Sequence, residues 1–321
     1  MLSEAKTSEK PRFIVTVDTE TFRINGQAPP FATHHYGDLP EGSFGVQRII
    51  DLCNQYGVKA TFFVDVYMHY EYGKSEVAEL CQRIARAGHD VQLHAHPSWL
   101  PDSHSGFICD YSLERQIEIL AEGKHLIEEW TGQSPVGFRA GAYGANLDTI
   151  RALQMNGFQV DSSYYPLHTN CELSRQLNGR CVNQPFYIDG ILEIPVTTYW
   201  LWKTPSFKKN CKLDVNSCSW TELKHVVRYF SDSSMQYVVL FLHSFSFLQW
   251  DRNGRSLAAK RAPLNRFEAL LRMIRQDLGG EFETIEDASK KRASCTNSAL
   301  DLVPAISPLH IFPRALTRIL G

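Results

Sequence analysis

Two short stretches carry acids and imidazoles at a spacing of two. Asp18-Thr19-Glu20 ends the β-branched run "RFIVTVDTE" (12–20), and His94-Ala95-His96 lies in "GHDVQLHAHPSW" (88–99). Residues two apart on a strand point to one face. Asp18 and Glu20 therefore share a face, as do Gln92, His94 and His96, with Val91, Leu93 and Ala95 on the other. Pro97 has no N–H to give a ladder and ends the second strand. Two readings of the histidines stay open here: polar side chains on a wet face, or imidazoles converging on one metal ion. Three more polar residues fall at strand ends: Arg139 in "PVGFRAG" (135–141), Asp161 in "FQVDSSYY" (158–165) and His243 in "QYVVLFLHSFSF" (236–247). Grouped on a buried face, such side chains are costly unless they are paired or bind a metal. Five such positions at the same end of successive strands argue against the bland reading of each as a coincidence.

The elements that would position them alternate. Between the strands 12–20, 59–66, 91–96, 135–141 and 158–165 the pattern predicts helices over 44–57, 75–88 (opening at a Ser75 cap), 112–132 and 146–157. Repeated strand–helix units predict an α/β fold, a parallel sheet with helices outside that can close into a barrel. Later strands are expected at 191–200 and 236–247, then a helix at 265–279 and a last strand at 281–290. The excursions 167–190 and 201–220 read as functional loops. Residues 1–11 form a polar N-terminal segment, 12–290 the barrel, and 291–321 a weakly amphipathic tail that packs back on it.

Composition narrows the class. The 321 residues, 43% hydrophobic and 21% charged, suit a soluble globular protein, and a net charge of -2 leaves no electrostatic footprint for nucleic acid. No apolar run is long enough for a transmembrane segment, and "MLSEAKTSEKPRF" shows no apolar secretory core. The eight cysteines show no Cys-x-x-Cys spacing and read as reduced thiols of a cytoplasmic protein, with a Cys171–Cys181 bridge the one conceivable pairing. Trp99, Tyr164, Tyr165, Tyr199, Trp200, Trp202 and Trp250 lie near strand ends or in the long loops, where rings can stack on sugars or simply fill a core. His34 and His35 follow the first strand as candidate neighbours of the site, although adjacent loop histidines are commonly solvated.

In order along the chain, "TVDTE", "YGVKATFFVDV", "RAGHDVQLHAH", "EWTGQSPVGFRAGAYG", "GFQVDSSYY" and "VLFLH" resemble the polysaccharide deacetylases of NodB-homology type, carbohydrate esterase family four. The resemblance implies a distorted (β/α) barrel of about seven parallel strands that removes acetyl groups from N-acetylated sugars with a divalent metal. It assigns Asp18 as the base, Arg139 as the residue orienting that carboxylate, and Tyr143 as the aromatic whose backbone N–H binds the oxyanion. His243 becomes the general acid and Asp161 the acid that holds and charges it. Two motifs depart from the family. Thr19 stands where a second Asp is usual, so Glu20, on the face of Asp18, is its substitute as a metal ligand. Ser98 stands where the second histidine of His-x-x-x-His belongs, and His96 replaces it beside His94. Zn²⁺ is the expected metal, and Co²⁺, Mn²⁺ or Fe²⁺ suit the same ligands.

The expected substrate is a cytoplasmic amino sugar, nucleotide- or lipid-linked, on the way to a surface polysaccharide. Two alternatives remain: a C–N hydrolase of the allantoinase or cyclic-imide type, and a non-catalytic barrel that binds a sugar.

Overall fold

The computed structural model describes residues 10–24, 26–178, 182–203, 208–251, 256–291 and 305. Seven parallel strands form the frame: β1 (Arg12–Thr19), β2 (Thr61–Asp65), β3 (Asp90–Ala95), β4 (Gly137–Ala140), β5 (Val160–Asp161), β6 (Ile191–Glu193) and β7 (Tyr237–His243). Their order across the sheet is β7-β1-β2-β3-β4-β5-β6. An antiparallel strand, Phe186–Ile188, covers the outer edge of β6. Nearly every residue of β1, β2 and β3 is buried, the expected pattern for a parallel sheet covered on both faces.

The sheet curls into a distorted barrel without a complete ladder between β6 and β7. There Val239 N donates to Thr197 Oγ1 at 2.8 Å, and residues 213–215 pair with Phe241 through two backbone bonds of 3.0 Å. The inward face holds an apolar plug of Ile14, Phe63, Val160, Leu192, Ile194, Tyr237 and Val239. The outward face (Val15, Val17, Phe62, Val64, Leu93 and Phe138) packs into a separate core with the helices. Four of these are α1 (Val46–Gln55), α2 (Lys74–Arg86), α3 (Leu113–Thr131) and α4 (Leu147–Met155). α3 begins at Ser112, whose side chain accepts from Arg115 N, and stops at Gly132 in the left-handed region.

Several expected boundaries move for visible reasons. α2 starts after Gly73, one residue before the expected Ser75 cap. The strand expected at 158–165 is cut to Val160–Asp161. Arg139 Nε donates to the Ser162 carbonyl, and Glu193 Oε1 accepts from Tyr164 N, so side chains take over the ladder. Pro195 lies between Ile191–Glu193 and Thr198–Lys203, where one strand was expected; it has no N–H to donate. The helix expected at 265–279 runs from Arg261 to Arg272 and continues as a π-turn to Asp277. The expected last strand is only Glu281–Phe282. Thr284 and Asp287 then form a capping box, a signal present in the sequence, and open the helix Ile285–Ser289. That helix closes the amino end of the barrel, with Ile285 N and Glu286 N donating to Thr61 Oγ1 and Asp90 Oδ2. The excursion 201–220 contains Lys208–Lys212, which pairs antiparallel with Thr198–Lys203 as a hairpin at the carboxyl end. Residues 1–9, Cys181 with its conceivable bridge, Cys295 and nearly all of the 291–321 tail lie outside the described residues.

Candidate active site

Register places the chemistry. Asp18 is paired with His243 of β7, Asp65 with His94, and His94 with Arg139. Residues paired across a sheet share a face, so these side chains all look into the carboxyl end of the barrel. Glu20 follows β1 directly, and His96 stands one residue beyond β3 at the head of the turn Pro97–Trp99.

Glu20 is the hub. Its Oε2 lies 2.9 Å from His94 Nε2 and 2.6 Å from His96 Nε2, and its Oε1 is 3.4 Å from His243 Nε2. One atom each from Glu20, His94 and His96 fall within 4.8 Å of one another, a spacing that one ion can bridge. The tautomer of His94 sharpens this. Its Nδ1 is 2.8 Å from the Arg139 carbonyl, which can only accept, so Nδ1 carries the hydrogen. In the neutral ring Nε2 is then a lone pair facing a carboxylate oxygen, two acceptors that either a shared proton or a bound cation reconciles. The donor set of one carboxylate and two imidazoles fits a divalent metal. A backbone feature supports the pair: a Cβ at Gly141 would come within 2.5 Å of His96 Nδ1, so this ring packs against bare backbone.

Asp18 sits beside the cluster in a different setting. Arg139 Nη1 donates to Asp18 Oδ1 at 2.7 Å and to Thr16 Oγ1 at 3.0 Å; its Nε and Nη2 donate to the Ser162 carbonyl and Oγ. The guanidinium is fully buried and stacks 4.3 Å from the Phe63 ring centroid. Burial pushes the Asp18 carboxyl up, but Arg139, then His94 and His243, more than offset it and hold Asp18 below the usual range. At Glu20 burial again raises, while the charge of His96 and the bonds to His243, His94 and His96 take it well below. Burial lowers the His96 imidazole, yet Glu20 outweighs it and raises His96 to about 9.

The structure does not bring Asp161 to His243. Asp161 is paired with Phe138 on one side and Glu193 on the other, all on the outward face, while the next residue, Ser162, turns inward to Arg139. Ser163 Oγ donates to Asp161 Oδ1 at 2.5 Å, and the Asp161 and Glu193 carboxyls lie in hydrogen-bonding range of each other. His243 instead faces Glu20 and packs between Phe245, stacked at 4.8 Å, and the edge of Phe241. Tyr143 does reach the mouth. Ala142 and Tyr143 adopt φ of 47° and 64°, and this left-handed turn carries the extra residue of "RAGAYG".

Two residues passed over in the sequence belong to this region. Asp65 ends β2 beside His94; its Oδ2 is buried with no donor among the described residues, and burial raises it to about 6 against the pull of His96 and His94. Its place at the end of "TFFVD" was a readable signal. Lys212 comes from the hairpin, and its Nζ donates to Tyr143 Oη at 2.9 Å. His34 and His35, weak candidates for neighbours of the site, are fully buried on the short helix Phe31–His35. His35 Nε2 bonds Thr21 Oγ1, and His34 stacks on Trp250 at 4.5 Å and meets Phe245. Burial drives the His34 imidazole down to about 3, so it is neutral. Of the other aromatics, Tyr165 touches Tyr143, and Trp99 is a buried platform under Arg23. Tyr164 and Tyr199 are core residues, Trp200 is buried, and Trp202 is partly exposed on the hairpin.

Known proteins share the fold and, over part of the chain, the sequence. Residues 32–160 match the family model described as polysaccharide deacetylase. A peptidoglycan deacetylase-like protein of Gibberella zeae is 29% identical over 124 residues, 38% of this chain, which spans only 33% of that relative. An allantoinase structure superposes with a TM-score of 0.58 at 14% identity, covering 89% of this chain and 91% of its own. A Mycobacterium smegmatis structure assigned to the polysaccharide deacetylases superposes with a TM-score of 0.55 at 19% identity, covering 92% and 96%. No described helix is long and apolar enough to cross a membrane. Residues 32–160 are thus similar in sequence to polysaccharide deacetylases, and the curled parallel sheet shares its fold with the structures above.

Proposed function

We propose that this protein is a metal-dependent hydrolase that removes an N-acetyl, or related N-acyl, group from an amino sugar. The observation that carries the reading is the convergence of Glu20, His94 and His96 within bonding reach of one ion, beside an Asp18 carboxylate held by a buried arginine. Glu20, His94 and His96 would hold the ion, Zn²⁺ first among Co²⁺, Mn²⁺ and Fe²⁺. When bound, it supplies Lewis acidity for the amide carbonyl and lowers the pKa of water toward neutrality.

The chain's own groups carry the protons. Asp18, kept ionised by Arg139, takes one from the attacking water, its second oxygen left for that task by the bond of Oδ1 to Nη1. The Tyr143 backbone N–H, on its left-handed turn, is the oxyanion donor, a contribution on the order of 3 kcal/mol. His243 Nε2 gives the proton to the departing amine. The acids beside it are Glu20, at 3.4 Å, and its sheet neighbour Asp18, with no part for Asp161.

The substrate we favour is a single nucleotide- or lipid-linked sugar in the cytoplasm. The hairpin leans over the mouth, with Asn210 Nδ2 donating to the Pro166 carbonyl, and this suits a small substrate better than a long polymer. The test loads purified protein with Zn²⁺ and measures acetate release from N-acetylated nucleotide sugars and from chitooligosaccharides. Acetate from the nucleotide sugars supports the reading, and faster cleavage of the oligomers removes the small-substrate part of it. Ammonia or ureido products from ring or linear amides would assign the site to the allantoinase-like class, and sugar binding without turnover or metal to a binding barrel.

A further inference from the structure

Lys212 brings a positive charge to the mouth that the proposed deacetylation does not use. Its Nζ donates to Tyr143 Oη at 2.9 Å and stands 3.2 Å from the centroid of the Phe241 ring. The other face of that environment is the reacting centre: Phe241 also lies 5.7 Å from the Arg139 guanidinium and meets the His243 ring edge-on at 4.8 Å. The ammonium thus shares one aromatic wall with the base-orienting arginine and with the candidate general acid.

No described carboxylate pairs with the ammonium directly, and Asp214, Asp18 and Glu20 act on it only from further away. An ammonium has three N–H donors, and a phenol and a ring face leave at least one to spend. Among the described residues no carboxylate lies within ion-pair distance of Nζ. The acids nearby are committed elsewhere: Asp18 to Arg139, Glu20 to three imidazoles, and Asp214 Oδ1 to the Asn216 N–H. A half-buried cation without a directly paired anion is costly to keep, and the cost falls when a ligand brings one. The Tyr143 hydroxyl and the Phe241 ring fix Nζ in place without neutralising it, as a preformed anion seat requires.

We infer that Lys212 is a specificity-determining residue that receives an anionic oxygen of the substrate, a phosphate or a carboxylate on the amino sugar close to its N-acyl group. The inference rests on the proposed function for the identity of the sugar, and it narrows the substrate from neutral to acidic amino sugars. Phosphate and carboxylate offer the same chemistry to an ammonium, so the test separates them.

The probes are N-acetylglucosamine, the same sugar as its 1-phosphate or 6-phosphate, and the same sugar bearing a 3-O-lactyl carboxylate. Two readouts are taken on full-length protein: KM and kcat for acetate release with Zn²⁺, and Kd by calorimetry on metal-free protein. Wild type is expected to bind at least one acidic sugar about tenfold tighter than the neutral one, in Kd and in KM alike. In Lys212→Met that ratio falls to within about twofold, and Lys212→Arg restores most of it. The arm that shows the preference names the anion. A wild type that binds and cleaves the neutral sugar as well as every acidic one overturns the inference and leaves the deacetylase reading standing. An anion preference in calorimetry, lost in Lys212→Met but with no acetate released from any sugar, overturns the reading and leaves the anion seat.

Discussion

Glu20, half-buried, and Glu193, fully buried, are acids at the carboxyl ends of parallel strands, and they are driven in opposite directions. Burial raises each. At Glu20 three imidazoles and the inward face of the barrel supply positive partners, and the carboxyl ends well below its ordinary range. At Glu193 the partner across the ladder is Asp161, another acid, and the carboxyl ends well above it. Neighbours decide the sign, and strand parity decides the neighbours. The inward acid is suited to hold a cation, and the outward pair is suited to hold a proton.

The double variant His94→Ala/His96→Ala is the strongest way to test the inward half. About one divalent ion per chain is expected in wild type and close to none in the variant, with turnover lost alongside, because two of three ligands are gone. Equal metal content in both proteins would sink the metal centre. Asp18→Asn comes next: metal is kept and kcat falls by about 10²- to 10⁴-fold, since the base goes while the ligands stay. Loss of metal in Asp18→Asn would move Asp18 into the ligand set.

His243→Ala should also keep its metal and cost about 10²-fold in kcat, less for amides or esters whose leaving group needs little protonation. A loss that is uniform across a leaving-group series would make His243 a structural wall between Phe241 and Phe245.

The inward half was largely legible because alternation is a local rule. Asp18 with Glu20 and His94 with His96 needed only a strand and a count of two, and the structure places all four at one end of the barrel. Asp161 shows where counting fails. Residues 161–163 read Asp-Ser-Ser, and the face each takes depends on the register with β4. That register turns Ser162 to Arg139 and Asp161 away. Lys212 had no local signal, because the hairpin that carries it to Tyr143 spans residues 198–212 and meets the barrel through distant contacts. His34 could be read only as a weak candidate: "ATHHYGD" looks like loop, and the ring of Trp250 that covers it is more than two hundred residues away.

The smallest expected effect on activity belongs to the outward pair, and it separates the two halves most cleanly. Asp161 Oδ2 and Glu193 Oε2 are buried with no donor among the described residues, and both carboxyls are raised, chiefly by burial and, at Glu193, by the charge of Asp161. The folded state therefore holds a proton between them more tightly than the unfolded chain does. Stability from this pair is fully present below the ordinary carboxylate range, about 4, and is lost as pH rises toward the raised folded values. Asp161→Asn replaces the shared proton by an amide N–H that can donate to Glu193, so the decline should shrink. The variant should match wild type near pH 5 and exceed it near pH 8, by a melting shift of about 2–4 °C for each kcal/mol recovered. Turnover at pH 7 should stay within about twofold of wild type, against the 10²-fold or greater loss expected if Asp161 charged the general acid. Melting curves and acetate release measured across pH 5–8 on the two proteins decide it. A steep loss of kcat in Asp161→Asn with an unchanged stability profile would put Asp161 back beside His243 and break the division between the two faces.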